Sequence, residues 1–105
     1  MKAAIRSALA ETDIRAALAF YLEEAVTVAA DFVDELEHAA QHIENHPASG
    51  SPRYARELNI PQLRFWPLRR FPYALFYIEH GDHLDVIRCV HLNRDIPACL
   101  QEGAP

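Results

Sequence analysis

A histidine, an arginine and an aspartate stand close together near the C-terminus. His91, Arg94 and Asp95 fall within five consecutive positions, and at the end of a strand such a set is equipped for general acid–base chemistry on a phosphodiester. The same spacing lets Arg94 and Asp95 close the tail as a structural ion pair, and spacing alone favours that role. A second set, His38, His42 and His46, recurs every four residues with Glu35 nearby. Imidazoles at i and i+4 on a helix converge on one side and suit zinc or nickel. Neither a cysteine nor an HExxH pattern accompanies them, and histidines bordering the polar face of an acidic helix are ordinary, so no metal and no cofactor is expected. His80 and His83 flank a turn and carry no further pattern. GxSxG, P-loop and GxGxxG motifs are absent from the sequence, which leaves hydrolases and nucleotide enzymes of those kinds without support.

Arg64, Arg69 and Arg70 are interleaved with Phe65, Trp66 and Phe71. Such a strip could form a basic groove for single-stranded nucleic acid, or equally a peptide groove, where Trp, Tyr and Arg serve as anchors. Charge decides between them. The chain has 15 acids against 10 bases, a net charge of −5 and a pI near 5.6, whereas nucleic-acid-binding domains usually have a pI above about 9. A protein partner is favoured. The charge is also uneven: residues 1–46 hold nine acids and three bases, residues 47–105 six acids and seven bases.

The elements that must position these residues follow from composition and periodicity. At 105 residues, half of them hydrophobic, the chain has room for one domain and one core. Cys89 and Cys99 make no disulfide framework, and Cys89 lies in an apolar strand pattern as a small core residue. With no leader and no apolar run long enough to span a bilayer, the cytoplasm is the expected location. Ala10, Ile14, Ala17, Leu18, Tyr21 and Leu22 form one helical stripe, and Ala29, Phe32, Val33, Leu36, Ala39, Ala40 and Ile43 a second. Neither glycine nor proline separates them, but one unbroken helix would exceed 50 Å at about 1.5 Å per residue. The β-branched run 25–28 is the poorest helix former, so the turn of a helical hairpin is placed there.

After Pro47 the chemistry changes. Residues 47–62 read as a loop, and 63–68, 73–80 and 83–92 as strands rich in aromatic and β-branched residues. Gly81 is expected to supply a positive φ in a tight hairpin turn. Pro67 and Pro72 place the strand around Trp66 at an edge. Residues 94–101 suit one or two helical turns. Regular alternation puts Tyr73, Leu75, Tyr77 and Glu79 with Leu84, Val86, Arg88, Val90 and Leu92 on one face. Ala74, Phe76, Ile78 and His80 share the other with His83, Asp85, Ile87, Cys89 and His91. Both faces are apolar and the helices can cover only one, so the other should expose a partner site.

The order of motifs resembles a known family. Ala10-x-x-Asp13-Ile14 opens the first helix, and Ala29-x-x-Phe32-x-x-x-Leu36-x-x-Ala39-x-x-x-Ile43 leads to Pro47 and Gly50. Leu68-Arg69-Arg70-Phe71-Pro72-Tyr73-Ala74-Leu75-Phe76-Tyr77 follows, then Val86-Ile87-Arg88-Cys89-Val90-His91 and Arg94-Asp95. Over about residues 2–100 this resembles the ParE toxins of the RelE/ParE superfamily, from bacterial type II toxin–antitoxin modules. The resemblance implies an α+β fold: a helical hairpin (about 10–46) packed on a small antiparallel β-sheet (about 63–92), with a tail from 93 to 105 and a short N-terminal strand within 3–9. That segment is alanine-rich and by composition a poor strand.

The resemblance also implies a ParD-like, ribbon-helix-helix antitoxin whose C-terminal segment wraps the toxin, covering the patch around Phe76, Ile78 and Ile87. ParE toxins inhibit DNA gyrase, whereas RelE toxins cleave messenger RNA on the ribosome. Ala74 stands where the RelE pattern carries a catalytic arginine, Leu100 stands about where its tyrosine would be, and Arg94 alone matches a RelE basic position. The reading is therefore a non-enzymatic toxin that binds gyrase through His91, Arg94, Asp95 and the tail to Leu100. The alternatives are a RelE-like endoribonuclease and an inactive homologue that only forms an antitoxin complex.

Overall fold

The computed structural model describes residues 1–101; the last four positions of the expected tail lie outside the described residues. Strand β1 (Ala3–Arg6) leads into helix α1 (Ala8–Glu24), then α2 (Val26–Asn45), a 3-10 turn (Pro47–Ser49) and a short α3 (Arg53–Glu57). Strands β2 (Leu63–Pro67), β3 (Tyr73–Glu79) and β4 (His83–His91) follow, and α4 (Ile96–Gln101) is the last element of the described residues.

The helical hairpin forms where expected, with a tighter break. Ser7 caps α1 by accepting from the Ala10 N–H at 3.1 Å. Only Ala25 leaves the helix, at φ −170° and ψ 145°, and Val26, Thr27 and Val28 already belong to α2. One residue in extended conformation is enough to reverse the axis. The molecule is 38 Å along its longest axis, so an unbroken helix would project from it. Tyr21 next to the break packs its ring against Phe32, tilted, and Phe71, edge-on, with centroids 5.2 and 5.0 Å apart, which ties the hairpin to the sheet.

The sheet has the order β1-β4-β3-β2. It is mixed rather than purely antiparallel, because β1 pairs parallel with β4, Ala3 opposite His83 through Arg6 opposite Val86. The alanine-rich segment is thus a strand despite its composition. Its partners impose the state: Ala4 N–H donates to Glu44 Oε2 at 2.8 Å, Ser7 N–H to Val86 O at 3.0 Å, and Ser7 Oγ to Ile87 O at 2.9 Å. Strand β2 lies at the other edge, as Pro67 at its end requires.

Two local expectations fail. The His80 N–H bonds His83 O at 2.8 Å to close the hairpin, but Gly81 does not take the positive φ anticipated for it. The segment 47–62 is not a plain loop, since it contains the 3-10 turn and α3.

The larger correction concerns the faces of the sheet. Pairing runs regularly from Glu79–Leu84 to Tyr77–Val86, then shifts so that Phe76 faces Arg88. Ile87 is the extra residue of a β-bulge, and a one-residue insertion exchanges the faces of everything beyond it. Cys89 and His91 therefore join Tyr73, Leu75 and Tyr77 on the helix side, while Arg88 and Val90 join Ala74 and Phe76 on the other. On the helix side Ile14, Phe32, Leu36, Ile43, Leu75, Tyr77, Leu84, Val86 and Cys89 form the main core. On the opposite side Leu63, Ala74, Phe76, Val90, Ile96 and Cys99 form a second. That second face is not open: α3, α4 and the segment between α3 and β2 cover it, and Phe76 is fully buried.

Candidate functional site

The bulge decides what surrounds His91. Turned to the helix side at the end of β4, His91 sets its ring edge-on to Tyr73, with centroids 5.0 Å apart. Together with Arg94, Asp13, Ala17 and Phe20 the pair lines a groove of about 370 Å³ between α1 and the sheet. The His91 carbonyl accepts from the Arg94 N–H at 3.1 Å, and His91 Nδ1 accepts from the Asn93 N–H at 3.1 Å. These bonds fold the chain back after β4 and hold the imidazole with Nε2 as its remaining nitrogen. Arg94 is exposed. Burial pushes the Tyr73 hydroxyl above its ordinary pKa, with smaller upward contributions from Tyr21 and Cys89, and Arg94 opposes the shift.

Behind the groove lies a charge pair that sequence reasoning did not find. Asp13 of α1 accepts from Arg88 through both carboxylate oxygens, at 2.7 and 2.9 Å, and Oδ2 also takes the Cys89 N–H at 3.0 Å. Arg88 Nη1 donates to Cys99 O at 2.6 Å. Both side chains are largely buried, 10% exposed for Arg88 and 16% for Asp13, and the fork geometry is the strong, bidentate kind. One arginine thus joins α1, β4 and α4. The signal was present: Asp13 stands three residues after Ala10 and four before Ala17, on the buried stripe of α1. Burial chiefly, and then the Asp13 charge, pushes the Cys89 thiol up to about 12, so the cysteine is the inert core residue expected of it.

The remaining candidates disperse. Asp95 forms no ion pair with Arg94 among the described residues; its Oδ1 accepts from the Ala98 N–H at 3.2 Å, capping α4. Leu100 is half-buried against the second core, on the other side of the sheet from His91. Phe76 is buried beneath the chain's own short helices, and Ile78 and Ile87 are half-buried at the margin of that cover.

The arginines do not gather into one groove. Arg64 donates to Gly50 O at 2.7 Å and Ala48 O at 3.2 Å, while Arg70 reaches Asp31 at 3.3 Å from the β2–β3 turn. Arg69 borders a separate pocket beside Trp66. Of the helical histidines, His42 lies flat on Trp66 with centroids 4.0 Å apart, and His38 Nδ1 is 3.7 Å from Glu35 Oε1. Among the described residues no group of three or more His, Cys, Asp or Glu is placed to hold a metal ion. Nor is any helix there long and apolar enough to cross a membrane.

Comparison with known proteins agrees with this architecture. A search of the curated proteins finds no match. Among solved structures, a chain described as the chromosomal ParDE TA system from P. aeruginosa is similar in fold, with a TM-score of 0.70 and 16% sequence identity over 89% of this chain and 98% of that one. A family model described as ParE toxin of type II toxin-antitoxin system, parDE, matches residues 5–96. That span runs from β1 through the bulged β4 to the start of α4, and the chain belongs to the ParE toxin family.

Proposed function

We propose that this ParE-family protein is a toxin that arrests growth by binding DNA gyrase, without catalysis, and that a ParD-like ribbon-helix-helix antitoxin neutralises it in the cytoplasm. The observation that carries the choice of binding over cleavage is the state of the sheet's basic residues. Ala74, at the position where the RelE pattern has a catalytic arginine, is fully buried. Arg88, opposite Phe76, has its guanidinium committed to Asp13 and Cys99 O. RNA cleavage needs cations at the substrate's phosphates, and in the groove beside His91 that leaves Arg94. The target-facing surface we assign is His91 and Arg94, supported by their shared groove, with Asp95 and Leu100 holding α4 in place behind them.

For the antitoxin we assign Ile78 and Ile87 at the edge of the second core, with Phe76 reachable only where the short helices lift. Phe20, Leu22 and Val26 also stand 56%, 49% and 73% exposed around the tip of the helical hairpin, apolar surface that a wrapping partner would bury. The test is expression alone and beside the product of the neighbouring gene, followed by supercoiling with purified gyrase and transcript cleavage in a translation extract. Inhibited supercoiling that Arg94→Ala weakens at least tenfold is the expected result. Intact supercoiling with cuts at the ribosomal A site would establish the endoribonuclease instead, and no growth defect would mark a protein that only forms an antitoxin complex.

A further inference from the structure

A small pocket between α2 and the end of β2 is bordered by two side chains that each carry a polar atom with nothing to bond. Glu35 Oε2 and His42 Nε2 are both buried and without a hydrogen-bond partner. They stand two helical turns apart on one face of α2 and border the same cavity of about 180 Å³, closed on its other side by Trp66, Pro67 and Arg69. Neither has a partner among the groups around it. The other Glu35 oxygen lies 3.7 Å from the exposed His38 ring, and the His42 ring is held flat on the Trp66 indole, at 4.0 Å and 15°. Buried polar groups in folded proteins are normally satisfied, so two orphans on side chains that border one cavity describe the ligand that is wanted there.

A metal ion does not fit, since no set of three or more ligating side chains is assembled among the described residues. An anion would meet the Glu35 carboxylate. The volume lies below the range of about 300–1,000 Å³ typical of small-molecule sites, so the space suits one side-chain head group. A guanidinium meets each demand. It carries the charge opposite to Glu35, and its planar fork of donors can serve a carboxylate on one side and an accepting imidazole nitrogen on the other. Its flat face suits contact with an indole. We propose that this pocket is a receptor for a guanidinium group, presented as one arginine side chain of a partner polypeptide. Arg69, exposed at the mouth, carries like charge and opposes its entry. The proposal does not depend on which target the toxin has.

Trp66 is the sole tryptophan of the chain, so its fluorescence reports this pocket directly. The whole protein is titrated with a short capped Gly/Ser peptide bearing one central arginine, with the same peptide carrying citrulline, and with agmatine. The expected result is a saturable change with the arginine peptide and binding at least tenfold weaker for citrulline, whose urea group has the shape without the charge. Glu35→Gln should weaken the arginine peptide at least tenfold at an unchanged melting temperature, and Arg69→Ala should tighten it. Agmatine weaker than the peptide supports a polypeptide source, and agmatine equal to it overturns that part. An absent saturable change, or equal binding of the arginine and citrulline peptides, overturns the receptor itself, and this last comparison needs no variant to fold.

Discussion

One face of the sheet is covered by two long helices of 17 and 20 residues, the other by two short ones of 5 and 6. The molecule is secure beneath the long pair and thin beneath the short one. The long helices carry continuous apolar stripes that reach across the whole sheet, so each buried side chain there is braced by several turns. A helix of five or six residues is not stable by itself, and α3 and α4 persist because Tyr54, Ile96 and Cys99 happen to meet Phe76, Val90 and Leu63. Amide exchange should therefore find α4 opening locally while α1, α2 and the central strands exchange only on global unfolding.

Two truncations should separate the faces most strongly. Phe32→Ala, at a fully buried position of α2, should cost about 3–5 kcal/mol in urea unfolding, the usual cost of emptying a core aromatic site. Ile96→Ala is 3% exposed in α4 and should fall near about 2 kcal/mol, the low end for its class, because the short helix can lift away. Equal costs would mean the two faces are equally firm.

Asp13→Ala tests the link between the faces. It leaves Arg88 buried without its carboxylate, and breaking such a pair costs about 3–5 kcal/mol; amide protection in α4 should fall together with stability, since the Arg88 bond to Cys99 O depends on the arginine staying in place. Tyr77→Phe should cost about 1–3 kcal/mol by orphaning Pro47 O and the Gly50 N–H, which the hydroxyl now serves at 2.6 and 3.1 Å. Asp95→Ala removes only a cap, worth about 1 kcal/mol, and its effect should stay within α4 exchange rates.

The smallest effect at neutral pH is the alkaline one. Cys89 is raised from 9.0 to about 12, and Tyr21, Tyr73 and Tyr77 are raised from 10.0, all by burial first. Their unfolded forms ionise at lower pH than their folded forms, so stability is unaffected below about pH 9 and falls as pH rises through the window to 12. Urea midpoints at pH 7 and pH 10 check this, and Cys89→Ala should flatten the decline.

Much of this was legible in the sequence. The two helices, the edge position of β2 and the hairpin at His80–His83 follow from periodicity and from where proline and glycine stand. The bulge did not follow, because Ile87 is as good a strand residue as its neighbours and nothing local says that it is unpaired. That one residue moved His91 to the helix side and Arg88 away from it, and so decided which chemistry-bearing side chains meet. A surplus of apolar residues on the second face implies a partner only if nothing else in the chain can cover it, and Tyr54, Leu58, Ile60 and Ile96, spread across two short segments, cover that face from within. Likewise Asp95 had the cap role open to it in sequence, as an aspartate before a helical turn with a proline, but the ion pair with Arg94 was the nearer reading.

The parallel pairing of β1 with β4 sets an order of events in the making of the chain. Ala3 waits for His83 and Ser7 for Val86, so the first strand synthesised has no partner until the last one has left the ribosome. Closing so long a loop precedes any reward from the contact. The helical hairpin can form early, but β1 is braced only at the end. Nascent chains shorter than about residue 86 therefore expose the unpaired edge of β1, and the four-stranded sheet is completed late.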